Sequence, residues 1–96
     1  MAYNTFKIMQ IKNMRDCDYA FMSYHFAKKH NFSLNDYEVV YEFDTLADYD
    51  LDDIYEMFNI HHPEDFRGHS LSVSDIIVKN NEMFYVDSFG FAEIEK

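Results

Sequence analysis

Residues 75–87 read DIIVKNNEMFYVD, in which two short apolar runs stand on either side of Asn80 and Asn81. The β-branched and aromatic residues of these runs favour strands, which are predicted at 75–78 and 83–87. Because asparagine tolerates a positive φ, Asn80 and Asn81 predict a tight turn between the strands. The stretch therefore predicts a β-hairpin near the end of the chain.

Two earlier segments alternate in the manner of half-buried strands. In 3–11, Phe6 and Ile8 share one face while Lys7 and Met9 share the other. In 37–43, an acidic outer face of Glu38, Val40 and Glu42 is predicted, and the apolar inner face consists of Tyr37, Val39, Tyr41 and Phe43. Beyond Gly90, a short final strand or an extended tail is expected.

Two helices are predicted between these strands. The first runs from Asp16, as its N-cap, to about His30, and its core stripe consists of Tyr19, Met22 and Phe26. The second begins near Asp50 and ends near Asn59, with Thr45 as an alternative cap. Its inner face consists of Leu51, Ile54 and Phe58.

The order of elements along the chain is therefore β-α-β-α-β-β. This order predicts a single α+β domain over residues 1–96, in which two helices pack on a small, mainly antiparallel sheet. The predicted core consists of Tyr19, Phe26, Leu51, Ile54, Phe58, Ile77, Val78 and Phe84.

Composition narrows the class of protein. Cys17 is the only cysteine, so an intramolecular disulfide and a cysteine-based zinc site are excluded. The longest apolar run is too short for a membrane span, and no signal peptide is recognisable. A cytoplasmic protein that does not bind membranes is expected.

Charge is distributed unevenly along the chain. Eleven of the eighteen Asp and Glu residues lie between Lys29 and Arg67, a stretch without Lys or Arg, and the formal net charge is −10. A surface of this kind repels nucleic acid and attracts basic proteins. The alternative is that these acids form a solvated face with no other role.

Three stretches resemble a known family: SYHFAKKH at 23–30, FNIHHPEDFRGHSLSVSDII at 58–77 and YVDSFGF at 85–91. Together they resemble the YodL-like domain. The resemblance implies a mobile-element or phage context in Gram-positive bacteria. It leaves the activity open, because the family has no established catalytic residue.

Metal sites are not predicted. A calcium loop counted from Asp48 has Asp53 where glycine is needed and Asn59 where a bidentate glutamate is needed. His61, His62 and His69 contain zinc-ligand types, but adjacent histidines usually point apart. No cofactor is expected either.

Catalytic sites are not predicted. Cys17 lies between Asp16 and Asp18, whose charges weaken a thiol nucleophile. The densest polar run could supply a serine, histidine and acid, but a structural role is favoured for it. That run contains Arg67, His69, Ser70, Ser72, Ser74 and Asp75.

The leading hypothesis is a non-enzymatic, stoichiometric inhibitor that mimics nucleic acid and binds a basic protein surface. The partner would be a host defence nuclease such as Cas9 or a restriction enzyme, blocked at its nucleic-acid channel. The alternative is a generic interaction module that binds a cell-shape filament protein or a larger polyvalent protein. The predicted contact residues are Asp48, Tyr49, Asp50, Asp52, Asp53, Tyr55 and Glu56.

Overall fold

The computed structural model describes residues 3–60, 63–66 and 68–94. Its helices are α1 (Tyr24–Lys29) and α2 (Leu51–Ile60), and short 3₁₀ turns lie at Met14–Asp16 and Leu34–Asp36. Its strands are β1 (Asn4–Ile11), β2 (Tyr37–Thr45), β3 (Ile76–Lys79), β4 (Glu82–Val86) and β5 (Phe91–Glu93). The strands form one antiparallel sheet in the order β2-β1-β3-β4-β5, which confirms the predicted α+β class.

The predicted hairpin is confirmed. Ile77 lies opposite Phe84, and the connecting Asn80 and Asn81 have φ values of 51° and 72°. The backbone N–H of Asn80 also donates to the carbonyl of Thr5 at 2.9 Å, which ties the hairpin to β1. After the turn at Gly90, the chain forms β5 rather than an extended tail.

The sheet is covered on both faces, and β3 divides its side chains between them. Ile77 packs with Ile54 and Phe58 of α2, whereas Ile76 packs on the opposite face with Tyr19 and Tyr85. Successive residues of a strand point to opposite faces, so the apolar run of β3 fits a strand buried on both sides.

The predicted first helix is wrong over most of its length. Only Tyr24–Lys29 is α-helical, and its N-cap is Ser23 rather than Asp16. The Ser23 hydroxyl accepts a hydrogen bond from the backbone N–H of Phe26 at 3.2 Å. The end of the helix was predicted closely, since His30 is the C-cap.

Long-range hydrogen bonds account for the missing helical turns. The backbone N–H of Phe21 donates to the Ser74 hydroxyl at 3.0 Å, and the Tyr85 hydroxyl donates to the Met22 carbonyl at 2.6 Å. Phe21 has a φ of 65°, which no right-handed helix accommodates. Tertiary contacts therefore override the apolar spacing of residues 16–22.

The alternation predicted for β2 fails at its middle. The pairing with β1 shifts register between Ile8 and Met9, which lie opposite Tyr41 and Val39 respectively, so that Val40 is skipped. As a result, Val39 is 50% exposed while Val40 packs against the core. Such a bulge inserts one residue and reverses the facing of those beyond it.

The predicted core is largely correct. Ile54, Phe58, Ile77, Val78 and Tyr19 are buried. The other three predicted members, Phe26, Leu51 and Phe84, are half-buried. The extents of α2 and β1 match the predictions, except that Tyr3 precedes β1 and is exposed.

In the part of the chain that the structure describes, neither helix is long and apolar enough to cross a membrane.

Candidate functional site

The acidic residues between Lys29 and Arg67 all face solvent. All eleven are exposed, whether they lie on β2, in the connection to α2, on α2 or after it. We call the acids of α2 and of the connection that leads to it the acidic surface; it consists of Asp48, Asp50, Asp52, Asp53 and Glu56. It includes all five predicted contact acids.

Two of these acids cap the N-terminus of α2. The Asp50 carboxylate accepts from the backbone N–H of Asp53 at 2.8 Å, and the Asp53 carboxylate accepts from that of Asp50 at 3.1 Å. This reciprocal arrangement is a capping box, and acids here also favour the positive end of the helix dipole. Asp50 is therefore the cap, while the Thr45 hydroxyl instead accepts from the N–H of Ala47.

Ion pairs engage two other acids. Lys79 Nζ lies 3.1 Å from Asp48 and also donates to the Tyr49 carbonyl at 2.8 Å, while Lys7 lies 3.4 Å from Glu42. The Asp48 side chain is 86% exposed, so its pair is strongly screened.

Asp52 and Glu56 remain uncompensated. Among the described residues, no Lys or Arg forms an ion pair with either carboxylate. Both lie on the exposed side of α2, one helical turn apart. Within the acidic surface, these two acids are the most available to a cationic partner, because Asp48 is ion-paired while Asp50 and Asp53 form the cap.

The two predicted tyrosines lie toward different edges of the sheet. The half-buried ring of Tyr49 lies 6.3 Å from Phe6 of β1, whereas that of Tyr55 lies 6.2 Å from Phe91 of β5. Because β1 and β5 are separated by two strands, the tyrosines do not form one aromatic patch.

A groove lies between β2 and α2. It consists of two adjoining depressions of about 320 and 270 Å³ that share Tyr49 and Met57. Its apolar lining includes Tyr41 and Phe43, and Asp53 and Glu56 line its α2 side. The sequence analysis did not place Tyr41, Phe43 or Met57 in the site, because only the packing of β2 beside α2 brings them to Tyr49.

The polar run after α2 contributes to a buried hydrogen-bond network around Asp75. The Asp75 carboxylate is fully buried and accepts from the backbone N–H of Ser72 at 2.9 Å and from Gln10 Nε2 at 3.2 Å. Gln10 also donates to the His69 carbonyl at 2.8 Å. The sequence analysis did not identify Gln10, whose partners lie about sixty positions away.

Burial raises the pKa of the Asp75 carboxyl to about 6. The two hydrogen bonds and the nearby His69 ring, whose Nδ1 lies 3.8 Å away, act in the opposite direction. Desolvation prevails because the carboxylate is removed from water on all sides.

Ser74 of this run is tied to other segments of the chain, whereas the buried Ser72 hydroxyl has no hydrogen-bond partner among the described residues. Ser74 has a φ of 88°; its hydroxyl accepts from Phe21, and its carbonyl accepts from the Tyr37 hydroxyl. Within residues 68–75, no serine hydroxyl is hydrogen-bonded to His69, whose Nδ1 instead lies 2.8 Å from the Ser70 carbonyl. Arg67 lies outside the described residues.

The other residues considered as a nucleophile or as metal ligands are not brought together in one site. Cys17 is half-buried and packs against the core on the α1 side of the sheet. His61 and His62 lie outside the described residues. Within the described ranges, no three His, Cys, Asp or Glu side chains are grouped so as to hold a metal ion.

Comparison with known proteins identifies the family of the chain. The family model of the YodL-like domain matches residues 5–96. No curated protein and no solved structure matches the chain. The matched range begins within β1 and includes every later element, so it contains the acidic surface, the groove and the hydrogen-bond network around Asp75.

Proposed function

The chain belongs to the YodL-like domain family, and we propose that it is a non-enzymatic inhibitor carried by a mobile element or phage. It binds a host defence nuclease in the cytoplasm, at one copy per nuclease. Its acidic surface occupies the basic nucleic-acid channel of an enzyme such as Cas9 or a restriction enzyme. Its carboxylates stand where phosphates would otherwise lie.

The observation that carries this proposal is the exposure of all eleven acids between Lys29 and Arg67. Among the described residues, Lys7 and Lys79 offset Glu42 and Asp48, and the other nine acids, Asp52 and Glu56 among them, form no ion pair with a Lys or Arg. Such a surface steers a basic partner at long range and repels nucleic acid itself.

A second observation supports a binding role over turnover. The polar groups that most resemble catalytic residues are engaged in holding the fold, since Asp75 binds Ser72 and Gln10 while Ser74 binds Phe21. A general acid or base has to reach a substrate, and Asp75 is fully buried.

A titration of DNA cleavage tests the proposal. Purified protein is added to guide-loaded Cas9 and, separately, to a restriction enzyme, and residual cleavage is measured at several salt concentrations. We expect cleavage by one of the two enzymes to stop at about one copy of the protein per enzyme. The inhibition should weaken above about 0.3 M salt as screening increases.

Two results would contradict the proposal. Complete inactivation at far below one copy per enzyme would indicate turnover. Tight binding that is insensitive to salt, with a partner that is not a nuclease, would instead support the interaction-module alternative.

A further inference from the structure

We infer that the groove between β2 and α2 binds the guanidinium group of an arginine side chain from a protein partner. This inference rests on the proposed function, because it assigns a specific contact within the same acidic surface. The arginine stem lies along Tyr49 and Met57, and its head reaches the carboxylates on the α2 side of the groove.

The apolar lining is fixed by the core beneath it. The Phe43 ring stacks on Phe6 at 5.4 Å, and the Tyr41 ring meets the Phe58 ring edge-on at 5.5 Å. Phe6 and Phe58 are fully buried, so the lining rings are held in place before a ligand arrives. A preformed surface reduces the entropy lost on binding.

Two acids line the α2 side of the groove. They are Asp53 and Glu56, and one oxygen of Asp53 accepts from the Asp50 N–H. Asp44 lies on β2 beside the groove, but its carboxylate accepts from the Thr5 hydroxyl at 2.8 Å, on the face of the sheet opposite Phe43. The other oxygen of Asp53 and the Glu56 carboxylate supply acceptors for a cation that enters between β2 and α2.

This combination favours a guanidinium over other ligand groups. An anion would meet the Asp53 and Glu56 carboxylates, and a purely apolar side chain would remove water from them without replacing their hydrogen bonds. A guanidinium is planar, stacks on aromatic rings and donates hydrogen bonds from its edge. An ammonium is more strongly hydrated and lacks the flat face.

The test uses short peptides and the full chain. Nuclear magnetic resonance follows a titration with Ac-Gly-Arg-Gly-NH₂, and with the same peptide carrying citrulline or lysine in place of arginine. We expect saturable shifts at the Met57 methyl group and at the Tyr49 and Tyr41 rings. The citrulline peptide, which lacks the charge, should bind about tenfold more weakly.

A matched pair of variants locates the site. Glu56→Gln should weaken arginine-peptide binding about two- to fivefold, the range of one partly exposed charge pair. Glu82→Gln removes an equal charge from an exposed position on β4 and should leave the affinity unchanged.

Three results would overturn the inference. These are shifts spread over the whole acidic surface, equal binding of arginine and citrulline peptides, or binding of the lysine peptide as tight as that of arginine. If the peptide test fails but the protein still inhibits a nuclease, only the arginine site is disproved. If arginine binds at the groove but no nuclease is inhibited, the proposed function is disproved instead.

Discussion

The two faces of the sheet are covered by segments of different character. On one face, α2 is closed at its start by the reciprocal bonds of Asp50 and Asp53, and it buries Ile54 and Phe58. On the other face, residues 13–36 contain only six α-helical residues. Long-range bonds hold that segment, including a 2.7 Å bond from the Tyr19 hydroxyl to Asp36.

This difference indicates which part of the molecule should tolerate substitutions. A helix with its own cap and apolar stripe keeps its shape when an outward charge outside the cap changes, because Asp52 and Glu56 belong to neither feature. A segment held by scattered tertiary bonds depends on each of them. Asp52 and Glu56 thus lie where changes of charge are tolerated best, whereas Asp50 and Asp53 of the same acidic surface hold the cap.

The largest effect is expected from core truncations on the two faces. Phe58→Ala should lower the free energy of unfolding by about 3 to 5 kcal/mol, because a fully buried ring is lost. Phe26→Ala on the α1 side should cost only about 1 to 2 kcal/mol, because Phe26 is half-buried. Urea denaturation measures both, and equal losses would contradict the contrast.

The hydrogen-bond network around Asp75 predicts a pH dependence. The folded-state pKa is raised to about 6 from an ordinary 3.8, so the folded protein binds a proton more tightly than the unfolded chain. This contribution to stability is complete below about pH 4 and is lost as the pH rises through about 6.

Asp75→Asn should remove that dependence. At pH 7 the variant should be more stable than the parent by up to about 3 kcal/mol, since the buried charge is gone while an acceptor for the Ser72 N–H remains. Thermal unfolding between pH 4 and pH 8 measures this. A parent whose stability rises between pH 4 and pH 6, with the same rise in the variant, would contradict it.

The caps of the two helices should differ by a smaller amount. Asp50→Ala breaks the capping box and should cost about 1 to 2 kcal/mol, whereas Ser23→Ala should cost about 0.5 to 1 kcal/mol. Asp50→Asn keeps a capping acceptor and serves as the control. Hydrogen exchange in the first turn of each helix reports the local loss, and protection of α2 unaffected by Asp50→Ala would be the contrary result.

Elements specified by neighbouring residues were predictable from the sequence. The hairpin at Asn80 and Asn81 and the capped start of α2 depend on residues within a few positions of one another. The Phe21 turn depends on Ser74 and the buried Asp75 depends on Gln10, so no local pattern reveals either.

The candidate site was predictable in part for the same reason. The acids of α2 and its approach stand out in the sequence as a run without cations. The groove does not, because Tyr41 and Met57 meet only when β2 and α2 pack side by side. The bulge opposite Ile8 and Met9 further decides which β2 side chains face α2.

The central claim is that the acidic surface binds a basic partner, and one comparison of association rates tests it most directly. Asp52→Asn with Glu56→Gln removes two uncompensated charges while sparing the cap and the Lys79 pair. Glu82→Gln with Glu93→Gln removes the same charge from exposed positions on β4 and β5.

Binding of the inhibited nuclease to each double variant is followed by stopped flow across a salt titration. The account predicts that the α2 variant associates about tenfold more slowly at low salt, with a shallower salt dependence, while the β4/β5 variant behaves as the parent does. Equal rates for the parent and both variants at every salt concentration would show that these acids form only a solvated face.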